Sequence, residues 1–347
     1  ASPETLRYRN RLEFAFSDTR WFYNHEGKIE DTTERLALGF HAAGVQGRVV
    51  DTEECYLAPE AFIQIRDFVK KEAVAQGLSF FSFKNGTGQL RNLEIRCGSR
   101  SGWTVILGLS SPAGPGVTTL LRALRTEFPF ITSVLINLLR DAYKGIPSTE
   151  YLAPDGDTGH TTEEANGLVF RVSAGSFYQP NRFQAPELFR LVQEMADAGP
   201  NDHVYDLYTG AGTLALHLAR KAGQVTGIEA SEDAIRDAKY NAMQNQIDNC
   251  NFIQGDVLQT LTQDFILRNG KPDIVVLDPP RSGTLIEIKK RILESQPRKI
   301  IYVSCDPSSL ANDLKMLTQD YNIRRIQPVD MFPYTAHIET LVEMERK

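Results

Sequence analysis

The sequence is poor in cysteine, in long apolar runs and in positive charge. Its four cysteines, Cys55, Cys97, Cys250 and Cys305, stand far apart with no CxxC pair. That spacing excludes a readable disulfide framework or a self-contained zinc site, and a reducing cytoplasm is the expected location. No apolar stretch reaches the roughly 18–20 residues that a membrane span requires. Residues 1–15 carry charges throughout, unlike a signal peptide. Lys and Arg number 38 against 44 Asp and Glu, a net charge of −6. This argues against a protein that holds nucleic acid by bulk charge, although a local basic strip suffices for RNA. The chain opens on Ala1 within an already patterned segment, so a preceding segment is expected.

What is present is ordinary globular composition, 41% hydrophobic and 24% charged over 347 residues, enough for two or three domains. Residues 1–165 read as a smaller α+β domain. In 11–17 Leu12, Phe14 and Phe16 alternate, as in a half-buried strand. A further strand lies in 48–57, a hairpin turns at Ser99–Gly102, and helices are expected near 58–76 and 116–127. Arg7, Arg9 and Arg11 alternate with other residues and on a strand would form one cationic stripe facing RNA phosphates. The polar, glycine-rich stretch 154–167 marks the boundary. Residues 166–347 change rhythm. Strands at 203–209, 224–230, 251–256, 272–278 and 299–305 alternate with helices near 213–221, 231–246, 257–268, 284–294 and 308–318, and a strand pair closes the chain near 323–329 and 338–344. Alternation of buried strands with helices predicts α/β architecture, a Rossmann-like doubly wound parallel sheet. Ser231 followed by Glu232 and Asp233 marks a helix start.

The segment 206–219, DLYTGAGTLALHLA, is a strand, a glycine turn and a helix. Gly210, Gly212 and Ala215 fit the G-x-G-x-x-A dinucleotide pattern. Three acids favour S-adenosylmethionine instead. Asp206 would face the cationic methionine moiety and would repel a pyrophosphate. Glu229 ends the next strand, placed to accept from a ribose diol, and Asp256 ends the third, placed to meet the adenine amino group. Ligands in such sheets bind outside the carboxyl ends of the strands.

DPPRSG (278–283) puts Asp278 at the same edge. Amino-methylating enzymes often carry an aromatic residue after the two prolines; here the residue is Arg281. YVSCDPSSL (302–310) puts Cys305 at the end of the next strand, ahead of a helix. Carbon 5 of uracil is a weak nucleophile, and a thiolate adding to carbon 6 activates it. His337 and Glu339, two apart at the start of the last strand, are expected to share a face, where a carboxylate can take the carbon-5 proton. In SFYQPNRFQ (176–184) Phe177, Gln179 and Asn181 are expected to share a face of a strand leading into a helix.

The phrases SFYQPN, DLYTGAGT, DPPRSG, YVSCDPSSLANDL and HIETL, with YRNRLEFAFS and LRNLEIRCG earlier, resemble the RNA uracil-5-methyltransferases in order and spacing over essentially the whole chain. The resemblance implies a class I S-adenosylmethionine-dependent methyltransferase domain at 166–347 and methylation of a uridine at carbon 5. Cys305 would be the nucleophile and Glu339 the base. Gln179, Tyr208, Thr213, Glu229, Asp256 and Asp278 would line the cofactor site. Asp278 and Gln179 would lie near the flipped uracil, with Phe177 and His337 as further substrate contacts. Members acting on 23S ribosomal RNA usually begin with a barrel domain and three clustered cysteines that, with a later one, bind a [4Fe–4S] cluster. Cys55 resembles the later cysteine; the earlier three are not in this sequence, so a cluster would need a preceding segment. The tRNA-specific branch lacks both features. LRNLEIRCG and the placement of Cys55 favour 23S rRNA as partner over tRNA, and a monomer is expected. Two other readings remain. A non-catalytic RNA-binding protein on the same fold is disfavoured by Cys305 and Glu339 together. A 5-methylcytosine enzyme would carry a cysteine in the segment that here reads DPPRSG.

Overall fold

The computed structural model of the chain describes residues 1–21, 35–44, 47–140, 148–154, 156 and 159–347. They divide into two compact units, Leu6–Thr161, and Thr162–Lys347 together with Ala1–Thr5.

The first unit contains β1 (Arg11–Ser17), β2 (Arg20–Trp21), β3 (Ala37–His41), β4 (Val49–Asp51), α1 (Ala61–Ala75), β5 (Leu90–Cys97), β6 (Trp103–Leu109), α2 (Pro115–Glu127), β7 (Ser133–Arg140) and β8 (Ser148–Leu152). Its strands form one sheet in the order β2-β4-β3-β1-β5-β6-β7-β8. Alternation along β1 sends Leu12, Phe14 and Phe16 into one core with Phe62, Ile65 and Val69 of α1 and Leu120 and Leu124 of α2. The helices therefore cover that face, as the apolar alternation requires. β5 and β6 form the expected hairpin, closed by the Gly98 N–H donating to the Gly102 carbonyl at 2.8 Å. The arginine stripe is not formed. Arg7 is left-handed, φ 52°, and strand begins only at Arg11. The Arg7 and Arg9 N–H groups donate to the Tyr56 and Leu57 carbonyls, each at 2.8 Å, and Arg11 pairs with Glu94 at 2.9 Å. The positive φ breaks the two-residue alternation on which a stripe depends.

The second unit contains β9 (His160–Ala165), β10 (Leu168–Ser173), α3 (Ala185–Ala196), β11 (His203–Leu207), α4 (Thr213–Ala219), β12 (Gln224–Glu229), α5 (Glu232–Gln244), β13 (Cys250–Gln254), α6 (Val257–Thr260), α7 (Gln263–Asn269), β14 (Ile274–Leu277), α8 (Ile286–Ser295), β15 (Lys299–Ser304), α9 (Pro307–Leu317), β16 (Tyr321–Val329) and β17 (Glu339–Arg346). Strands β9 and β10 pair, and the main sheet runs β13-β12-β11-β14-β15-β17-β16. It is parallel from β13 to β15, and β17 enters antiparallel to both its neighbours. Side chains alternate between two cores. Val204, Val225, Val276 and Val303 pack with α3, α4 and α5. Tyr205, Ile228, Val275 and Tyr302 pack with α6, α7, α8 and α9. This is the doubly wound sheet that the alternating rhythm predicts. Its strand order reverses between β11 and β14, and the crevice at their carboxyl ends is where such sheets bind ligands.

Two expectations need correction. The single helix over 257–268 is two, because Thr262 caps a second start, accepting from the Phe265 N–H at 3.2 Å. The SFYQPN segment is not strand: β10 ends at Ser173, and Asn181 turns the chain ahead of α3 by accepting from the Phe183 and Gln184 N–H groups at 3.1 and 3.0 Å. Phe177 is accordingly 54% exposed while Gln179 and Asn181 are buried, so the three share no face.

Candidate active site

The glycine turn after β11 is tightly constrained. Tyr208, Gly210 and Gly212 all have positive φ, at 67°, 55° and 81°. For tyrosine this is a strained conformation of the kind that persists only where the surroundings impose it. The imposition is visible: the Tyr208 and Thr209 N–H groups both donate to the Ile228 carbonyl, at 3.0 and 3.1 Å. At Gly212 a Cβ would lie 3.1 Å from both Ala238 and Phe252, so glycine meets a steric as well as a torsional need. Thr213 then opens α4.

Acids surround this turn. Asp206 is fully buried; one carboxylate oxygen accepts from the Thr209 hydroxyl at 2.5 Å, and Oδ1 has no hydrogen-bond partner. Burial pushes its pKa up to about 7, the Thr209 hydroxyl opposing and Asp278 adding. Glu229 accepts from the Gly210 N–H at 3.2 Å and the Ser231 N–H at 2.8 Å. Asp256 is exposed and caps α6, accepting from the Gln259 N–H at 3.2 Å. The half-buried Tyr208 phenol is pushed up to about 12 by burial and by the nearby Asp256, Asp313 and Glu229.

A second group forms at the ends of β14, β15 and β17. Asp278 follows β14 and is pushed up to about 7 by burial; its Oδ2 accepts from Gln179 Nε2 at 3.3 Å. Cys305 follows β15 and Glu339 opens β17, and the ladder between these strands ends with Ser304 opposite Thr340, which brings Cys305 and Glu339 to neighbouring strand ends. Burial raises the Cys305 thiol pKa, Glu339 and Asp278 raise it further, and the Arg281 cation opposes them. Glu339 is 3% exposed and pushed up to about 9 by burial, with Asp278 adding and Arg281 opposing. Asp306 caps α9 through the Ser308 and Ser309 N–H groups at 2.9 and 2.8 Å.

Carboxylates held so poorly ionised favour a cation, which would stabilise their charged forms, and disfavour a pyrophosphate. The orphaned buried Oδ1 of Asp206 is an acceptor for such a ligand. The residues present therefore fit S-adenosylmethionine better than a dinucleotide.

The comparisons with known proteins agree. A model of the tRNA (uracil-5-)-methyltransferase family matches residues 161–347. The chain belongs to that family. An uncharacterized RNA methyltransferase of Bacteroides thetaiotaomicron is 39% identical over 99% of this chain and 76% of its own length. One from Porphyromonas gingivalis is 38% identical with the same coverage. Among solved structures, Pyrococcus abyssi tRNA (uracil-54, C5)-methyltransferase in complex with S-adenosyl-L-homocysteine superposes with a TM-score of 0.74 at 25% identity, over 99% of this chain and 77% of that one. A putative S-adenosylmethionine-dependent methyltransferase from Streptococcus mutans, TM-score 0.51 at 14% identity, shares the fold alone. The chain is thus an S-adenosylmethionine-dependent RNA methyltransferase of class I fold.

In this uracil-5-methyltransferase family member, Asp278, Gln179, Cys305 and Glu339 come together, and Tyr208, Thr213, Glu229 and Asp256 lie along the carboxyl edge of the neighbouring strands. His337 does not share the face of Glu339. It precedes β17 and is exposed, its N–H donating to the Thr335 hydroxyl at 3.2 Å and its ring lying edge-on to Phe332. The two-residue alternation fails there because strand begins only at Glu339. Cys55 is a half-buried free thiol packed on the first unit's core. Among the described residues no group of His, Cys, Asp or Glu is placed to hold a metal ion, and no helix is long and apolar enough to cross a membrane. Sequence reading missed Thr209, Arg281 as a charge partner, and Asp313. Arg281 carried a signal, as the one cation within DPPRSG.

Proposed function

We propose that the chain methylates carbon 5 of a uridine in folded RNA, with Cys305 as nucleophile and Glu339 as base. The observation that carries this reading is the meeting of a thiol, two protonatable carboxyls and a cation at three adjacent strand ends. S-adenosylmethionine supplies an electrophilic methyl group on a sulfonium sulfur. Asp206, Tyr208, Thr213, Glu229 and Asp256 would hold it, with Glu229 available to the ribose diol and Asp256 to the adenine amino group. The uridine must leave its stack to reach Cys305, and exposed Phe177 offers a ring for it to stack on. Asp278, held toward its protonated form by burial, and the Gln179 amide that donates to it would hydrogen-bond the uracil edge and fix its face. The Cys305 thiolate adds to carbon 6, and the resulting enolate makes carbon 5 nucleophilic. After methyl transfer Glu339 takes the carbon-5 proton, and the C6–S bond breaks to release Cys305. Burial and Asp278 favour the protonated form of Glu339, and the Arg281 cation opposes them. To act as base it must first lose its proton to solvent, and Arg281 is the lasting charge that favours the carboxylate.

Large-subunit ribosomal RNA is the first candidate substrate, from the LRNLEIRCG segment and the placement of Cys55. The second candidate is tRNA, supported by the Pyrococcus abyssi protein, which acts on uracil 54 of tRNA. A monomer working in the cytoplasm fits either. Mass mapping of 5-methyluridine in rRNA and tRNA from cells lacking the gene decides between them. One missing rRNA site is the expected result, a missing tRNA site selects the second substrate, and intact 5-methyluridine in both overturns the reading.

A further inference from the structure

Beneath the reactive group lies a buried polar cluster that this chemistry does not itself use. Asp313 of α9 is 5% exposed, Lys289 of α8 is 6%, Thr284 is 5% and Tyr302 of β15 is fully buried. Asp313 Oδ2 accepts from the Thr284 N–H at 2.7 Å and from the Tyr302 hydroxyl at 2.5 Å, while Oδ1 accepts from Lys289 Nζ. The Thr284 and Tyr302 hydroxyls are 3.1 Å apart. The contacts have a direction. Thr284 ends the loop that starts at Asp278 and carries Arg281. Gly283 within that loop has φ +79°, and a Cβ on it would lie 2.6 Å from Asp313 Oδ2 and 3.3 Å from Ser309 Cβ. The loop backbone is therefore seated directly on the first turns of α9, the helix that Cys305 and Asp306 lead into. Three elements, the loop, α8 and β15, are tied by one carboxylate that accepts three hydrogen bonds.

Such a network is costly to break, because removing the carboxylate strands a buried ammonium and a backbone N–H. It also over-determines where the loop runs. The charged groups that act on Cys305 are Asp278 at the end of β14, Arg281 from this loop and Glu339 from β17. Of these three, the one cation is carried on backbone that Asp313 holds, while Asp278 stays at the strand end, its N–H toward the Leu207 carbonyl.

We propose that Asp313 is a positioning residue of the methyl-transfer centre: with Lys289 and Tyr302 it seats the Asp278–Thr284 loop on α9 and so fixes the backbone that carries Arg281 toward Cys305. This rests on the reading of Cys305 as the nucleophile, but its test does not require turnover. A loop displaced from α9 moves the cation away and leaves the thiol facing two carboxyls alone. The Cys305 thiolate then becomes rarer at neutral pH, by about tenfold if the shift is one pKa unit.

The test is the pH profile of iodoacetamide alkylation at Cys305, read by peptide mass spectrometry on the full chain. Asp313→Asn should move the profile to higher pH and slow alkylation at neutral pH roughly tenfold. Asp202→Ala serves as the stability control, since it breaks the Arg298 pair and the Gly199 contact at the opposite edge of the sheet. It should lower the melting temperature and leave the profile alone. Arg281→Met, at an exposed position, should fold normally and shift the profile as Asp313→Asn does, while Arg281→Lys should restore most of it. A wild-type profile in Asp313→Asn alongside a lowered melting temperature would reduce Asp313 to a structural role and overturn the proposal. An unshifted profile in Arg281→Met would overturn it independently. Failure of the catalytic reading has a different signature: Cys305→Ala would still yield 5-methyluridine, whatever the alkylation profiles show.

Discussion

Replacing Asp206 by Asn should flatten the pH dependence of stability while removing cofactor binding. Asp206 is fully buried, and its pKa stands at about 7 against an ordinary 3.8. The folded protein therefore holds this proton more tightly than the unfolded chain does. The stabilisation is complete below the ordinary value and is lost as pH rises through about 7. Each pH unit in that window is worth about 1.4 kcal/mol, so between about pH 5 and about pH 8 wild type should lose roughly 2–3 kcal/mol that Asp206→Asn keeps. Asp278 and Glu339 titrate in the same direction, through about 7 and about 9, but they are present in both proteins. The asparagine can still accept from the Thr209 hydroxyl, and its amino group occupies the place of the orphaned Oδ1. That substitution costs about 1–3 kcal/mol, but the cost is independent of pH and drops out of the slope. Thermal melts across the range should show the wild-type midpoint falling roughly 5–10 °C further than the variant's. Calorimetry with S-adenosylmethionine should show binding to wild type only. Parallel melting curves would mean that Asp206 is ionised throughout in the folded protein, and the account of it as a buried acid reserved for a cation would fail.

The same charges predict how ligands bind. S-adenosylmethionine carries a sulfonium that S-adenosylhomocysteine lacks, so its affinity should rise as pH climbs through about 7, where Asp206 and Asp278 ionise, with protons released on binding. The homocysteine form should show a weaker slope, and equal slopes would remove the sulfonium from the neighbourhood of these acids. Replacing Glu339 by Gln keeps size and hydrogen bonding but removes the base, so methylated RNA should accumulate as a denaturation-resistant adduct on Cys305; wild-type turnover would assign the proton to another group. Replacing Cys305 by Ala should abolish both adduct and 5-methyluridine, and surviving product would end the nucleophilic scheme.

The second unit was more legible in sequence than the first. Val204, Val225, Val276 and Val303 sit in short apolar runs between helical segments, and a parallel sheet buried on both faces produces that rhythm with little else able to imitate it. The first unit's sheet hides more, because its later strands lack clean alternation: β7, SVLINLLR, is nearly continuous apolar sequence that length and pattern leave ambiguous. Local departures have local causes. Thr262 splits a helix by offering its hydroxyl as a cap, and the positive φ of Arg7 undoes a stripe that was sound as a pattern. At the site, the positions of Asp206, Glu229, Asp278 and Cys305 could be read because each follows from a strand end, and strand ends are where the topology makes ligands converge. The face of His337 could not, because it depended on where β17 starts, and boundaries are the part of an element that pattern specifies least.

What sequence leaves out entirely is how far each acid is buried, and that determines the chemistry. Read along the chain, Asp278 and Glu339 are equivalent carboxylates. In the fold Asp278 titrates near 7 and accepts from Gln179, while Glu339, 3% exposed and facing Asp278, titrates near 9. Two carboxyls that share a pocket cannot both ionise cheaply. The pair therefore tends to keep a proton, and at Glu339 the Arg281 cation opposes that tendency. A retained proton suits the proposed reaction. A neutral Glu339 would not repel the Cys305 thiolate while it forms, and an ionised one is needed only after methyl transfer, so its proton has to pass to solvent between the two steps. Were Glu339 instead exposed and ionised from the start, its charge would add to Asp278 against the thiolate, with Arg281 alone to offset both. Burial that keeps Glu339 protonated thus removes one of the charges that oppose a Cys305 thiolate.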